Sequence, residues 1–561
     1  MSHDLGARQL LARLVLATVL SGVIGSAGAE EGAMAGNYGQ LVKLFADWRA
    51  FERPPWRDGA PDYTAATFAR RHEELKSYRD RLAAIDPAAW PVQQQVDYHL
   101  VRAEINGLDF YIDVLKPWVR DPAFYSSIYT EQSDTPAHEG PENHASIDLW
   151  TYTFPLDAAA QKRLASELRT IPPLLAQARL NLIGNARDLW IVGTGTMRKQ
   201  ATDLEALERK TGNAATEVKA ALRDAHRATL DFVGWLDQQA PSKNGPSGIG
   251  KDAYTWSLRN VHLVPMTWEY EVTLLKRELS RAHAALRLEE QRNRGLPELK
   301  PVTSAEEYQQ RANAAITKYV AFLRDRDIIA IESYTDPALR ERIGEFSPEA
   351  TRNFFAIASH LEPMTLFTHF YHWWDLAQMR EEPHASPIRR GPLLFNIWDS
   401  RAEGMATAME EMVLHAGYYD DNPRAREIVW IMLAQRAARG LGSLYAHANL
   451  FNMKEAKDFQ VEWTPRGWMR PDLDLLGFEQ QLYLRQPGYG TCYVTGKFLL
   501  DELMKDYSHR LREGFTVRRF FDDVNATGVI PVSLIRWQLT GRDDEIRALT
   551  GQLGKEYVHP R

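Results

Sequence analysis

Residues 421–450 read DNPRAREIVWIMLAQRAARGLGSLYAHANL, and their pattern decides the fold class. Asp421-Asn422 supplies a helix cap, and Pro423 suits a first helical turn because its missing backbone N–H would find no intrahelical partner there. One side of the helix that follows is mostly Ile, Val, Met, Leu and Ala. On the other side Arg436, Arg439, Ser443 and His447 fall at i, i+3, i+7 and i+11. At about 100° per residue they occupy a band of roughly 80°. A polar stripe on so apolar a helix must be paired, face a cleft or be expensive to bury.

The same spacing of three and four recurs toward the N-terminus. Tyr38, Leu41, Leu44 and Phe45 mark a helix over Asn37–Trp48. Tyr63–Ile85 and Val92–Leu115 form a predicted hairpin around Asp86-Pro87, closed by Pro117, which cannot donate to an interior turn. Further helices are expected over 159–182, 197–211, 213–239, 264–292 and 305–325, and strand candidates are few and short. The predicted fold is mainly α, a large multi-helical body with a central cleft. Segment 132–147, QSDTPAHEGPENHASI, reads as a loop that connects helices or borders a site. The Pro- and Gly-rich run 241–250 reads as a linker or hinge between an N-terminal portion, 30–240, and a C-terminal portion, 251–561.

A chain of 561 residues exceeds the roughly 250–300 at which one core stops growing, so two lobes or one elongated helical body are expected. The net charge of −7 offers no basic excess for a phosphate backbone, so nucleic acid is excluded as a partner class. Residues 1–29 carry Arg8 and Arg13, the apolar run Leu14–Ile24 and Ala27-Gly28-Ala29 before Glu30, a secretory leader pattern. The run is shorter than the roughly 20 residues a membrane span needs, so no span is expected once the leader is removed. The lone Cys492 cannot form an internal disulfide. The expectation is an exported protein, periplasmic or extracellular, held by its core, with no oligomeric state indicated.

Two more stretches carry polar residues with chemical potential. In PMTLFTHFYHWWDLAQM, 363–379, a helix is predicted from Pro363 onward. His369 and His372 then share one face, flanked by Phe367, Phe370, Trp373 and Trp374. They suit either one metal ion or a hydrogen-bonded place in the core. In SRAEGMATAMEEM, 400–412, Glu403 and Glu410 are seven apart and return to one side of a helix, with small Ala406 and Thr407 between. Such a pair suits metal ligation, acid–base work, or ion pairs with the arginines of the 421–450 stripe.

The ordered set Glu403-Gly404-Met405-Ala406, Glu410, Arg439, His447, Pro487-Gly488-Tyr489, Tyr493, Gly496-Lys497 and Phe520-Phe521-Asp522 resembles the bacterial family of unknown function DUF885. The Asp86-Pro87 region, YHLVRAEI at Tyr98 and GKDAYTWSLRNVHLVP at Gly250 are similar to it as well. Glu403, Glu410, His447, Pro487, Gly488 and Tyr493 fall on its EGWALYAE, GLH and PGQALSY blocks. The resemblance implies a mainly helical, zinc-peptidase-like body in which Glu403 is a metal ligand.

The departures bear on chemistry. Where the family carries HExxPGHH, this chain has TLFTHFYHWW; His372 takes the later histidine, and Leu366 and Phe367 stand in place of the first His and the water-activating Glu. Ser443 replaces an Asp, Tyr489 a Gln and Phe521 a His. Two readings follow. One is a non-catalytic relative that binds a peptide or small molecule in a helical cleft, with Trp373, Trp374, Tyr489 and Tyr493 as walls, Arg436, Arg439 and Ser443 as further binding residues, and no cofactor. The other is a metal-dependent hydrolase with zinc on His369, His372 and Glu403, and Glu410 or His447 as acid or base. If Glu403, Glu410, Arg436, Arg439 and the histidines converge without a metal, carboxylate–guanidinium pairs are expected among them.

Overall fold

The computed structural model describes residues 27–137 and 142–551. The leader therefore lies, up to residue 26, outside the described residues, and so do 138–141 of the 132–147 loop. The architecture is mainly α, with two strand pairs of two residues each: Trp56–Arg57 antiparallel to Ala60–Pro61, and Ile128–Tyr129 parallel to Ile147–Asp148. The second pair closes the base of the 132–147 loop.

Most helices fall where periodicity places them, and proline accounts for much of the difference. The stretch 159–182 divides into Ala158–Leu168 and Ile171–Asn181, because Pro172 and Pro173 are tolerated only in a first turn. The helix expected from Pro363 to Met379 also divides. It runs as Met364–Phe367, a 3₁₀ turn Thr368–Phe370, and Tyr371–Glu381. At the end of Val92–Phe110 one π turn, Tyr111–Leu115, precedes Lys116 in the left-handed region, and Pro117 opens a short helix rather than only closing one.

The run 241–250 is tied down on both sides. Gly245 N–H donates to Asn185 O at 2.8 Å, and Gly250 N–H to His447 O at 2.8 Å. A Cβ at Gly248 would lie 2.3 Å from Ala446 O, so only glycine lets the chain pass there. A continuous buried core includes residues from Leu41 to Leu549, from both sides of this run.

Four helices build the centre: Trp268–Asn293, Asp399–His415, Pro423–His447 and Tyr489–Leu511. In Pro423–His447 every residue is buried except Pro423, Arg426 and Tyr445. Glycines set how closely these helices approach. A Cβ on Gly404 would stand 2.5 Å from Gly496 Cα, and one on Gly496 would stand 2.0 Å from Ser400 O. Likewise a Cβ on Gly440 would stand 2.8 Å from Gly490 O. The Tyr489–Leu511 helix is thereby held against both neighbours at backbone contact, which aims Tyr489 and Tyr493 at Asp399–His415.

Gly496→Ala is expected to destabilise the fold by about 1–3 kcal/mol through overpacking against backbone that cannot yield. Gly39→Ala, on an exposed helical position with nothing within 4 Å, should be neutral or stabilise by about 0.5–1 kcal/mol. Urea denaturation of the two variants beside the parent checks both; equal midpoints would remove the glycine contact from the account.

Candidate functional site

The 3₁₀ turn at Thr368–Phe370 rotates His369 onto the same centre as His372, in the first turn of the next helix. Their rings stand 4.8 Å apart, edge to face. Both reach one carboxylate oxygen: His369 Nε2 is 3.2 Å and His372 Nε2 3.0 Å from Glu403 Oε2. The other oxygen, Oε1, accepts from Tyr489 Oη at 2.5 Å and Tyr493 Oη at 3.2 Å. Tyr489 and Tyr493 are four apart on one helix, so both hydroxyls arrive from the same face.

A second layer continues from His369. Arg436 Nη2 donates to Glu410 Oε1 at 2.6 Å and lies 3.0 Å from His369 Nδ1. Glu410 Oε1 is itself 2.9 Å from Nδ1. Nδ1 thus meets both a guanidinium N–H, which asks it to accept, and a carboxylate oxygen, which asks it to donate, and those two partners are bonded to each other beside the ring. The whole group is inside the protein: Glu403, Glu410 and His372 are 1% exposed and Arg436 0%.

Burial alone would raise the Glu403 pKa, but the charge of His372 and the bonds from both histidines outweigh it and hold the carboxyl well below its usual range. His372 answers in the opposite direction. Burial lowers its pKa, the Glu403 and Asp134 charges raise it, and the balance is about 9. The pair is thus a carboxylate and an imidazolium at neutral pH.

Of the predicted residues, the structure brings together His369, His372, Glu403, Glu410, Arg436, Tyr489 and Tyr493. Arg439 leaves the group: its Nη1 donates to Glu479 Oε1 at 2.7 Å, and its guanidinium covers the Tyr493 ring at 3.9 Å. Ser443 Oγ lies against Gly490, where it fills the helix contact. His447 Nε2 bonds Tyr483 O at 2.8 Å, and burial drops its pKa to about 4, so it is a neutral imidazole away from Glu403 and Glu410. Trp373 is half-buried under Arg342, 3.6 Å above its ring, and Trp374 donates to Thr335 O at 2.9 Å. Trp373 and Trp374 therefore form no common wall with Tyr489 and Tyr493. Phe367 is buried and stacks on Phe370 at 5.0 Å.

Two partners were not foreseen. Glu479 gathers Arg439 and Gln460, the latter at 2.6 Å. Its signal in the sequence is Glu479-Gln480-Gln481 inside an otherwise apolar helix pattern, polar groups that burial forces into pairs. Asp134, from the 132–147 loop, has Oδ2 3.9 Å from His372 Nδ1, so that loop borders the group.

The pair has a pH signature. His372 ionises more readily folded than at its ordinary 6.5, so its contribution is complete below pH 6.5 and is lost as pH rises through about 9. Glu403 is shifted below its ordinary 4.5, so its contribution is present above pH 4.5 and is lost as pH falls below it. Urea midpoints of metal-free protein should therefore decline between pH 6.5 and 9, and His372→Gln should flatten that limb. Glu403→Ala, which strands the imidazolium, should cost about 3–5 kcal/mol near neutrality.

The family described as bacterial protein of unknown function, DUF885, matches residues 51–386, a stretch that contains His369 and His372 and stops short of Glu403. No curated protein matches the chain. Among solved structures, a protein of Shewanella oneidensis described as a lipoprotein of unknown function is similar at a TM-score of 0.64 and 14% identity, over 91% of this chain and 99% of that one. A protein of Colwellia psychrerythraea described as a lipoprotein is similar at 0.61 and 13%, over 90% and 99%. At these identities the two share its fold. The family match covers more than half of the residues, and the chain belongs to DUF885, a bacterial family of unknown function.

Proposed function

We propose that this chain is an exported, non-catalytic relative of zinc-dependent peptidases that binds a small molecule or peptide rather than hydrolysing one. One observation carries this reading. Each oxygen of Glu403 is engaged by two donors from the chain itself, His369 and His372 on Oε2, Tyr489 and Tyr493 on Oε1. A carboxylate that ligates zinc needs a lone pair free of protein donors and facing the ion. Glu410, the other glutamate of the group, is held by Arg436, and by the family resemblance Leu366 stands in place of the first His and Phe367 in place of the water-activating Glu. Export is supported by the leader pattern of residues 1–29 and by the description of the two similar structures as lipoproteins. Among the described residues no helix is long and apolar enough to cross a membrane.

A second reading, a metal-dependent hydrolase with a rearranged site, is favoured by the donor atoms themselves. One atom each of His369, His372 and Glu403 lie within 4.8 Å of one another. The nitrogen–oxygen separations of 3.0 and 3.2 Å are near the tetrahedral edge of about 3.3 Å that zinc bonds of about 2.0–2.1 Å would give. The set fits zinc, which would be held by these three residues and would supply Lewis acidity to a bound water. The same separations also suit hydrogen bonds, and the tyrosines already complete Glu403.

Protein purified without chelator should contain well under one zinc per chain by elemental analysis, remain folded, and show no chelator-sensitive cleavage of casein or mixed peptides. One equivalent of zinc, lost together with peptide cleavage on Glu403→Gln, would replace the first reading by the second.

A further inference from the structure

A pocket of about 170 Å³ opens beside the helix that carries His372, on a different side from Glu403. Its aromatic walls are Tyr334, Tyr371 and Trp374, and its acids include Glu332, Glu382 and Asp375. We infer that this pocket binds a small organic ammonium ion, an alkylamine or a methylated amine. The inference rests on the binding reading above and names the chemistry of the ligand.

Size comes first. Pockets for drug-sized ligands run to roughly 300–1,000 Å³, so this one selects a short molecule. Charge comes next. Asp375 is neutralised by Arg401, whose two terminal nitrogens each lie 3.1 Å from its oxygens, and Asp522 at the edge is held by Arg518 at 2.8 Å. Glu332 and Glu382 have no cation among the ion pairs of the described residues, and both are exposed at the mouth. The pocket therefore keeps a negative excess. The Tyr334 phenol registers it: burial, then the charges of Glu382 and Glu332, push its pKa well above the ordinary value, and its hydroxyl lies 3.4 Å from Glu382 Oε2.

The walls decide between kinds of cation. Tyr371 and Trp374 meet edge to face at 5.2 Å between ring centroids and are already engaged, Tyr371 beneath Arg401 at 5.5 Å and Trp374 against Tyr319 at 6.1 Å, so the half-buried Tyr334 ring beside Glu382 is the aromatic surface left for an alkylated ammonium group. A divalent metal needs several oxygens drawn close around it, and here Asp375 is committed to Arg401. Carboxylate ligands would meet like charge. Asn525 Oδ1 accepts from both Tyr371 Oη and Arg401 Nη2 at 2.9 Å, so the floor is fixed before any ligand arrives.

Isothermal titration of the full mature chain with butylammonium, tetramethylammonium, butyrate and calcium chloride tests the assignment. Saturable binding of at least one ammonium salt is expected, none of butyrate, and an affinity loss of about tenfold in Glu332→Gln/Glu382→Gln, two surface changes that leave the core untouched. Tyr334→Leu should weaken tetramethylammonium as well. No saturable ammonium binding, binding undiminished in the double variant, or calcium binding in place of ammonium would overturn the inference. A protein that is metal-free and inactive yet ignores amines would retain the non-catalytic reading and lose only this one.

Discussion

A glutamate removed from water must recover its hydration from the protein, and Glu403 does so through four donors brought by two separate segments. His369 and His372 come from the broken helix around Thr368–Phe370, and Tyr489 and Tyr493 from the Tyr489–Leu511 helix. Much of the surrounding polar centre is arranged to keep those donors in place. Arg436 bonds His369 on the far side of its ring and takes up Glu410; Arg439 covers Tyr493 and is balanced by Glu479. A buried network of this kind adds little net stability compared with an apolar core of the same shape, but removal of any one member strands the others.

The scaffold and the centre share one constraint, close approach of backbone. Gly404 sits beside Glu403 on the Asp399–His415 helix and meets Gly496, seven residues after Tyr489. Without side chains at that crossing the two helices come near enough for a tyrosine hydroxyl to reach a glutamate. At the broken helix that carries the histidines, Phe367 packs on Phe370 in the core.

The helices and the partners of Glu403 were legible in unequal measure. Periodicity located the long helices, and the seven-residue spacing of Glu403 and Glu410 put both on one side of a helix that is buried all round from Asp399 to Glu410. The pairing of Arg436 with Glu410 followed from the cost of an unpaired polar stripe. Arg439 was legible as needing a carboxylate but not as choosing Glu479, forty residues away, because one helix face carries no information about which neighbour meets it. His447 shares the stripe of Arg436 and Arg439, yet the stripe is longer than the site, and at its end the ring finds a backbone carbonyl. The break at Thr368 was hidden: no Gly or Pro marks it. Asp134 approaches from a loop far away in sequence, and no local pattern predicts such a contact.

The most direct test of the central claim is the protonation of the His372 ring. Nitrogen NMR of ¹⁵N-histidine-labelled protein near neutral pH, assigned by the signals absent from His372→Gln, reads both ring nitrogens. A carboxylate–imidazolium pair completed by two tyrosines predicts protons on both, unchanged by an added equivalent of zinc. A neutral His372 ring whose Nε2 signal moves to a metal-bound position on zinc addition would contradict it.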